Sequence, residues 1–212
     1  MTDASYTAIM LLVDRSGSMQ SIKADAEGGV NAFIADQAKA DDRRTIRVAQ
    51  FNHDYVLVHE SLDAKNAPRF ALSPGGNTAL LDAMGRSITE FGEELAALPE
   101  EQRPGTVIVA IMTDGMENWS QEYSWDAIKK MVLHQEENYG WQIIYLGANQ
   151  DAIEVGGRLG IRRDRSMSYS ASSVGTRSGL AAMGGYVAQA AGGQSVGFTE
   201  EQRTEAMKGD KK

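Results

Sequence analysis

Apolar residues fall into two rhythms along this chain. Thr7-Ala8-Ile9-Met10-Leu11-Leu12-Val13 and Thr106-Val107-Ile108-Val109-Ala110-Ile111-Met112 are almost unbroken apolar runs, many of their residues branched. Such runs predict strands covered on both faces, as in the middle of a parallel sheet. Thr45–Phe51 and Tyr55–His59, separated by Asn52-His53-Asp54, read as a hairpin and therefore predict one antiparallel edge strand. Trp141–Leu146 reads as a further strand, and a short one is expected near Met167-Ser168-Tyr169.

Between these runs the apolar spacing turns helical. Ile22, Ala26, Val30, Phe33, Ile34 and Gln37 place a stripe on a helix from about Gln20 to Lys39, where Gly28 and Gly29 fit close packing of helix on sheet. Leu80, Leu81, Met84, Ile88, Phe91, Leu95 and Leu98 form the cleanest stripe, beginning directly after Thr78. Trp125, Ile128 and Val132 support a helix to about Asn138, with Gly140 as its stop. A helix from about Gln150 and a small-residue helix from about Val174 to Ala191 complete the alternation. Strands alternating with helices predict an α/β domain: a doubly wound, mostly parallel sheet of about six strands with one antiparallel edge strand and helices on both faces. The ligand crevice of such a sheet lies at the carboxyl ends of its strands. Residues 1–191 make up this domain, and residues 192–212 read as a polar, glycine-bearing tail, expected to be frayed and dispensable for stability.

Composition narrows the picture further. A chain of 212 residues suits one α/β domain with a sizeable core. Its net charge of −8, with no basic face concentrated along the sequence, argues against nucleic acid and against an anionic membrane surface. The apolar runs are too short to span a bilayer and the N-terminus lacks the pattern of a signal peptide, so a soluble, cytoplasmic protein is expected. The absence of cysteine excludes disulfides and thiolate zinc sites, and fits a reducing compartment.

Candidate chemistry begins where the first apolar run stops. Asp14, Ser16 and Ser18 occupy alternate positions in Asp14-Arg15-Ser16-Gly17-Ser18, so one carboxylate and two hydroxyls can turn toward a single point. Hard oxygen donors of this kind suit Mg²⁺, with Mn²⁺ or Ca²⁺ as other occupants. Asp114 closes the second central run, so periodicity alone puts both aspartates at strand ends. The pattern resembles the metal-ion-dependent adhesion site of von Willebrand factor A domains, also called integrin I domains: D-x-S-x-S on a first loop, a Thr on a second and an Asp on a third. Gly75-Gly76-Asn77-Thr78 and Thr113-Asp114-Gly115 match the second and third loops in type and order, and the resemblance covers roughly residues 5 to 190. It implies a metal site of Asp14, Ser16, Ser18, Thr78 and Asp114, and a non-enzymatic module that engages an Asp or Glu of a protein partner through Mg²⁺. It also places the antiparallel edge strand third, where the hairpin falls.

Each of these residues also has a plainer reading. Asp, Ser and Thr are favoured helix N-caps, and Asp-Gly is a common turn pair. Glu117 either approaches the metal or stands as a loop carboxylate. Trp119 and Tyr123 either form an exposed contact surface or pack beneath the loop. Arg15 lies beside the mouth as a candidate contact for a partner carboxylate or as a solvated side chain. His53, His59 and His134 read as edge and surface residues. A phosphohydrolase of haloacid-dehalogenase-like type would use Asp14 as nucleophile, but that family wants an Asp where Ser16 stands, and no acid/base histidine is in evidence. A metal that only stabilises the fold is the third alternative. The partner's identity and the oligomeric state are not written in the sequence.

Overall fold

The computed structural model describes residues 1–194 and 197–209. Its centre is β1 (Asp3–Asp14), whose last nine residues, Tyr6 to Asp14, are all buried. This is what an apolar run without alternation requires, because both of its faces must be covered. Ile9, Leu11 and Val13 point into one core, while Ala8, Met10 and Leu12 point into the other. The first core is closed by α1 (Lys23–Gln37) and α5 (Ser173–Ala191). The second is closed by α2 (Leu80–Ala96) and α3 (Trp125–Tyr139), with α4 (Ala152–Arg158) at its edge.

The remaining strands are β2 (Arg43–Phe51), β3 (Tyr55–Asp63), β4 (Pro104–Thr113), β5 (Gln142–Ala148) and β6 (Ser166–Tyr169). They form one sheet in the order β3-β2-β1-β4-β5-β6. Every pairing is parallel except β2 with β3, the expected antiparallel edge. The chain leaves β1 toward β2 on one side and returns to place β4 on the other. The β1/β4 boundary is therefore the switch point of the sheet, the usual place for a ligand crevice. The pairing of Val13 with Met112 brings Asp14 and Thr113 to that boundary side by side.

Helix ends follow local chemistry. Ser124 caps α3 by accepting from the Ala127 N–H, and Gly140, at φ +67°, ends it as expected. Helix α1 begins later than its apolar stripe suggests, because Gly17–Ile22 forms a 3-10 turn first.

Two expectations need correction. The segment after Gly193 does not fray throughout: α6 (Glu200–Ala206) starts with a capping box of Thr199 and Gln202 and docks on the domain. Phe198 and Ala206 are buried in the first core, Ala206 O accepts from Ser170 N, and Arg203 donates to the Ser166 and Arg163 carbonyls. The expected tail misjudged Phe198, which finds Tyr186 5.7 Å away, ring to ring. His59 is also not a surface residue. The β2/β3 ladder shifts register between Val48 and Ala49, and His59 is carried inward opposite Val48, where burial lowers its pKa. His53 and His134 are exposed as expected. Among the described residues no helix is long and apolar enough to cross a membrane.

Candidate metal centre

Three loops leave the carboxyl ends of the central strands and are tied to one another by backbone. Gly17 N donates to Gly76 O (3.0 Å) and Gly75 N to Arg15 O (2.8 Å), joining the first loop to the second. Asn118 N donates to Thr78 O (3.0 Å) and Thr78 N to Asn118 Oδ1 (3.0 Å), joining the second to the third. Gly76 sits at φ +78° with the His53 ring against it, so a side chain there would be both strained and obstructed.

The five sequence-predicted residues converge within this frame. Ser18 donates to Asp114 Oδ1 (2.6 Å), and the Ser16 and Ser18 hydroxyls are 3.1 Å apart. Gly115 gives the sharpest measure: a Cβ placed on it would lie 3.2 Å from Thr78 Oγ1, 3.5 Å from Ser18 Oγ and 3.7 Å from Ser16 Oγ. Three hydroxyls from two loops thus surround one small space kept open by a glycine on the third. Thr78 does not cap α2 with its side chain, which leaves its hydroxyl free for that space.

Asp14 stands on the floor of this arrangement, fully buried. Its Oδ1 accepts from Ser16 N (2.6 Å) and its Oδ2 from Thr113 Oγ1 (2.5 Å). Burial raises its pKa to about 6 despite those hydrogen bonds, and the neighbouring Asp114 charge adds to the rise. Asp114 is raised for the same reason, burial, with the Ser18 hydroxyl opposing it. No basic side chain contributes to either shift. Two neighbouring desolvated carboxylates with no cation beside them are electrostatically expensive, and a divalent ion would relieve them. Among the described residues, no three His, Cys, Asp or Glu side chains gather to hold a metal. The donor set here is instead two carboxylates and three hydroxyls, all hard oxygens, and it fits Mg²⁺.

This fold is shared with solved structures. One is the von Willebrand factor domain of the type V pilus tip protein Mfa5 from Porphyromonas gingivalis, with TM-score 0.63 and 10% identity over 92% of this chain and 98% of that one. The chain has the von Willebrand factor A fold. A von Willebrand factor type A protein from Catenulispora acidiphila matches at TM-score 0.58 and 15% identity, over 85% of this chain and 42% of that one. Proximal thread matrix protein 1 from the mussel byssus, with zinc in its adhesion-site motif, matches at 0.61 and 16%, over 86% and 48%. The A-fold chain spans under half the length of the latter two. No protein-family model and no curated protein matches its sequence.

The structure also settles the residues around the A-fold's crevice. Glu117 is not turned to the metal space: its Oε1 accepts from Trp119 N and Ser120 N, and its Oε2 from Leu81 N and the Ser120 hydroxyl. Tyr123 packs under the loop, its ring so close to α2 that a Cβ on Gly85 would lie 2.6 Å from it, whereas Trp119 is 49% exposed. Arg15 is partly buried, with its Nε lacking a partner. Sequence reasoning missed Thr113, which fixes Asp14, and Asp82, which accepts from the Gln121, Glu122 and Tyr123 amides. Thr113 had a signal, a hydroxyl at the strand end beside the Asp; Asp82 looks like any acidic residue in a first helical turn.

Proposed function

We propose that this chain is a non-enzymatic, divalent-metal-dependent protein-binding module, which holds Mg²⁺ and through it engages an Asp or Glu of a partner. The observation that carries this reading is the space over Gly115, ringed by the hydroxyls of Ser16, Ser18 and Thr78, with the Asp114 carboxylate bonded to Ser18 and the Asp14 carboxylate to the Ser16 amide. Bound there, the ion supplies a Lewis-acidic position. The carboxylates of Asp14 and Asp114 would balance a divalent charge without exceeding it, and the neutral hydroxyls of Ser16, Ser18 and Thr78 would leave such an ion able to accept one more anion. In this chain Asp14 is held by Thr113 and the Ser16 amide, Asp114 by Ser18, and the Thr78 hydroxyl faces the space over Gly115.

A phosphohydrolase reading finds no such support. Both oxygens of Asp14 already accept hydrogen bonds at the buried floor of the site, a poor posture for a nucleophile, and Ser16 stands where an acidic partner would be needed. The test is affinity capture from the native cell on immobilised wild-type chain, in Mg²⁺ and again in chelator, with Thr78→Ala alongside. We expect a specific partner retained only in Mg²⁺, weakened by Thr78→Ala, and dependent on one acidic residue of its own. Capture undiminished by chelator, or by neutralising every acid in the partner's contact surface, would refute the mechanism.

A further inference from the structure

Residues 115–124, between the metal space and α3, contain neither helix nor strand, yet their backbone is extensively anchored. Glu117 takes the amides of Trp119 and Ser120 at 2.8 Å each, and Asp82 takes those of Gln121, Glu122 and Tyr123 at 2.8 to 2.9 Å. Five consecutive N–H groups are thus satisfied by two carboxylates, while Asn118 is paired in both directions with Thr78. Glu117 also accepts from Leu81 N in the first turn of α2, so the loop is fastened to a helix end rather than only to itself.

What this anchored loop presents is apolar. Met116 is 66% exposed and Trp119 49% exposed, and they are two of the few large hydrophobic side chains left in solvent among the described residues. Met116 follows Gly115 directly, and Trp119 follows the Asn118 that clasps Thr78, so each is one residue along the chain from a group that borders or holds the metal space. Tyr123, on the same loop, is packed away against Gly85, so the exposure of the other two is not a property of the loop as a whole. A tryptophan on a pre-organised backbone loses little entropy on contact and is the residue type most enriched among binding hot spots. A methionine three residues before it on the same loop adapts to the shape of an apolar group.

Building on the metal-dependent reading above, we infer that Met116 and Trp119 form an apolar subsite beside the metal centre, which takes an aliphatic or aromatic side chain neighbouring the partner's metal-seeking carboxylate. The partner is therefore an acidic-and-apolar protein segment rather than a purely acidic one. The test is selection of a randomised displayed peptide library on the full chain in Mg²⁺, followed by titration of synthetic versions of the enriched peptides. We expect an Asp or Glu with Leu, Ile, Phe or Trp beside it, and a loss of roughly tenfold in affinity when that apolar residue becomes Ser. Trp119→Ser, and separately Met116→Ser, should weaken the same peptide while leaving the Mg²⁺ affinity measured by calorimetry unchanged. Acidic peptides enriched without an apolar preference, full affinity in both variants, or no enrichment at all would overturn the subsite and leave the metal reading standing. Peptides that lack an acid, or bind equally in chelator, would overturn the metal reading itself.

Discussion

A missing Cβ at residue 115 decides whether the three hydroxyls have anything to surround. Gly115→Ala would put a methyl group 3.2 Å from Thr78 Oγ1 and within 3.7 Å of both serine hydroxyls, in the space assigned to the ion. The residue's backbone is not in the left-handed region, so alanine brings no conformational strain of its own. The expected outcome is a folded protein with near wild-type melting temperature that no longer responds to Mg²⁺, checked by thermal denaturation with and without the ion. An unchanged Mg²⁺ response in this variant would displace the site from where we put it. Asp114-Gly115 reads as a turn pair in the sequence, and that reading is compatible with the role found here. The glycine's second duty, leaving room, depends on side chains some 40 to 100 positions away and has no local signature.

At the scale of elements, α6 teaches the opposite lesson. A seven-residue helix has no stability by itself, and Thr199 with Gln202 three positions on is a capping signal that only matters once a surface is available. That surface is the edge of the sheet: Arg203 covers carbonyls at Ser166 and Arg163, Phe198 N donates to Asp164 O, and the Phe198 ring enters the first core beside Tyr186. Covering a strand edge in this way also removes a template for intermolecular pairing. Phe198→Ala should cost about 3 kcal/mol, the low end for a buried phenylalanine, and lower the melting temperature by roughly 6 to 12 °C in a domain of this size. Calorimetric melting checks this, and a change within a degree or two would return the segment to the status of a loose tail. β1, by contrast, needed no partner to be recognised, since an uninterrupted apolar run has no solvent-facing side to offer.

For the molecule as a whole, an ion held at the proposed site would couple to folding. Asp14, Thr78 and Asp114 are far apart in sequence and meet only when β1, β4 and α2 are assembled, so an ion bound there stabilises the folded chain and not the unfolded one. Mg²⁺ at a hundredfold excess over its dissociation constant should add about 2.7 kcal/mol. The effect has a defined pH dependence. In the metal-free chain burial holds the Asp14 carboxyl at about 6, above its ordinary value of 3.8. A raised carboxyl favours the folded state at low pH; that contribution is lost as pH rises from 3.8 toward 6, and ionised Asp14 is a net cost above it. A divalent ion reverses this sign by favouring the ionised form, and protons compete with it below about 6. The Mg²⁺-induced rise in melting temperature should therefore be larger at about pH 7.5 than at about pH 5, and absent in Asp14→Ala at both. An equal rise at the two pH values would place the ion on groups other than these buried carboxylates.

The sequence by itself determined the strands, the main helices, the antiparallel edge and the order of the three loops, because these rest on periodicity and on turn chemistry that act within a dozen residues. It also put Asp14 and Asp114 at strand ends, where Ser16 and Ser18 follow Asp14 at alternate positions, and the resemblance to A domains added Thr78 to them. Only the tertiary structure decided which of the plausible neighbours share that site. Glu117 and Asp82 turned out to be fasteners of a loop, Thr113 the support of Asp14, and Trp119 an exposed side chain where Tyr123 is a packed one. The burial of His59 and the docking of Phe198 were likewise settled by register and by an available surface. A carboxylate, an imidazole or an aromatic ring carries the same local signature whether it faces a metal, a backbone amide or water; what it faces is fixed by residues that reach it only through the fold.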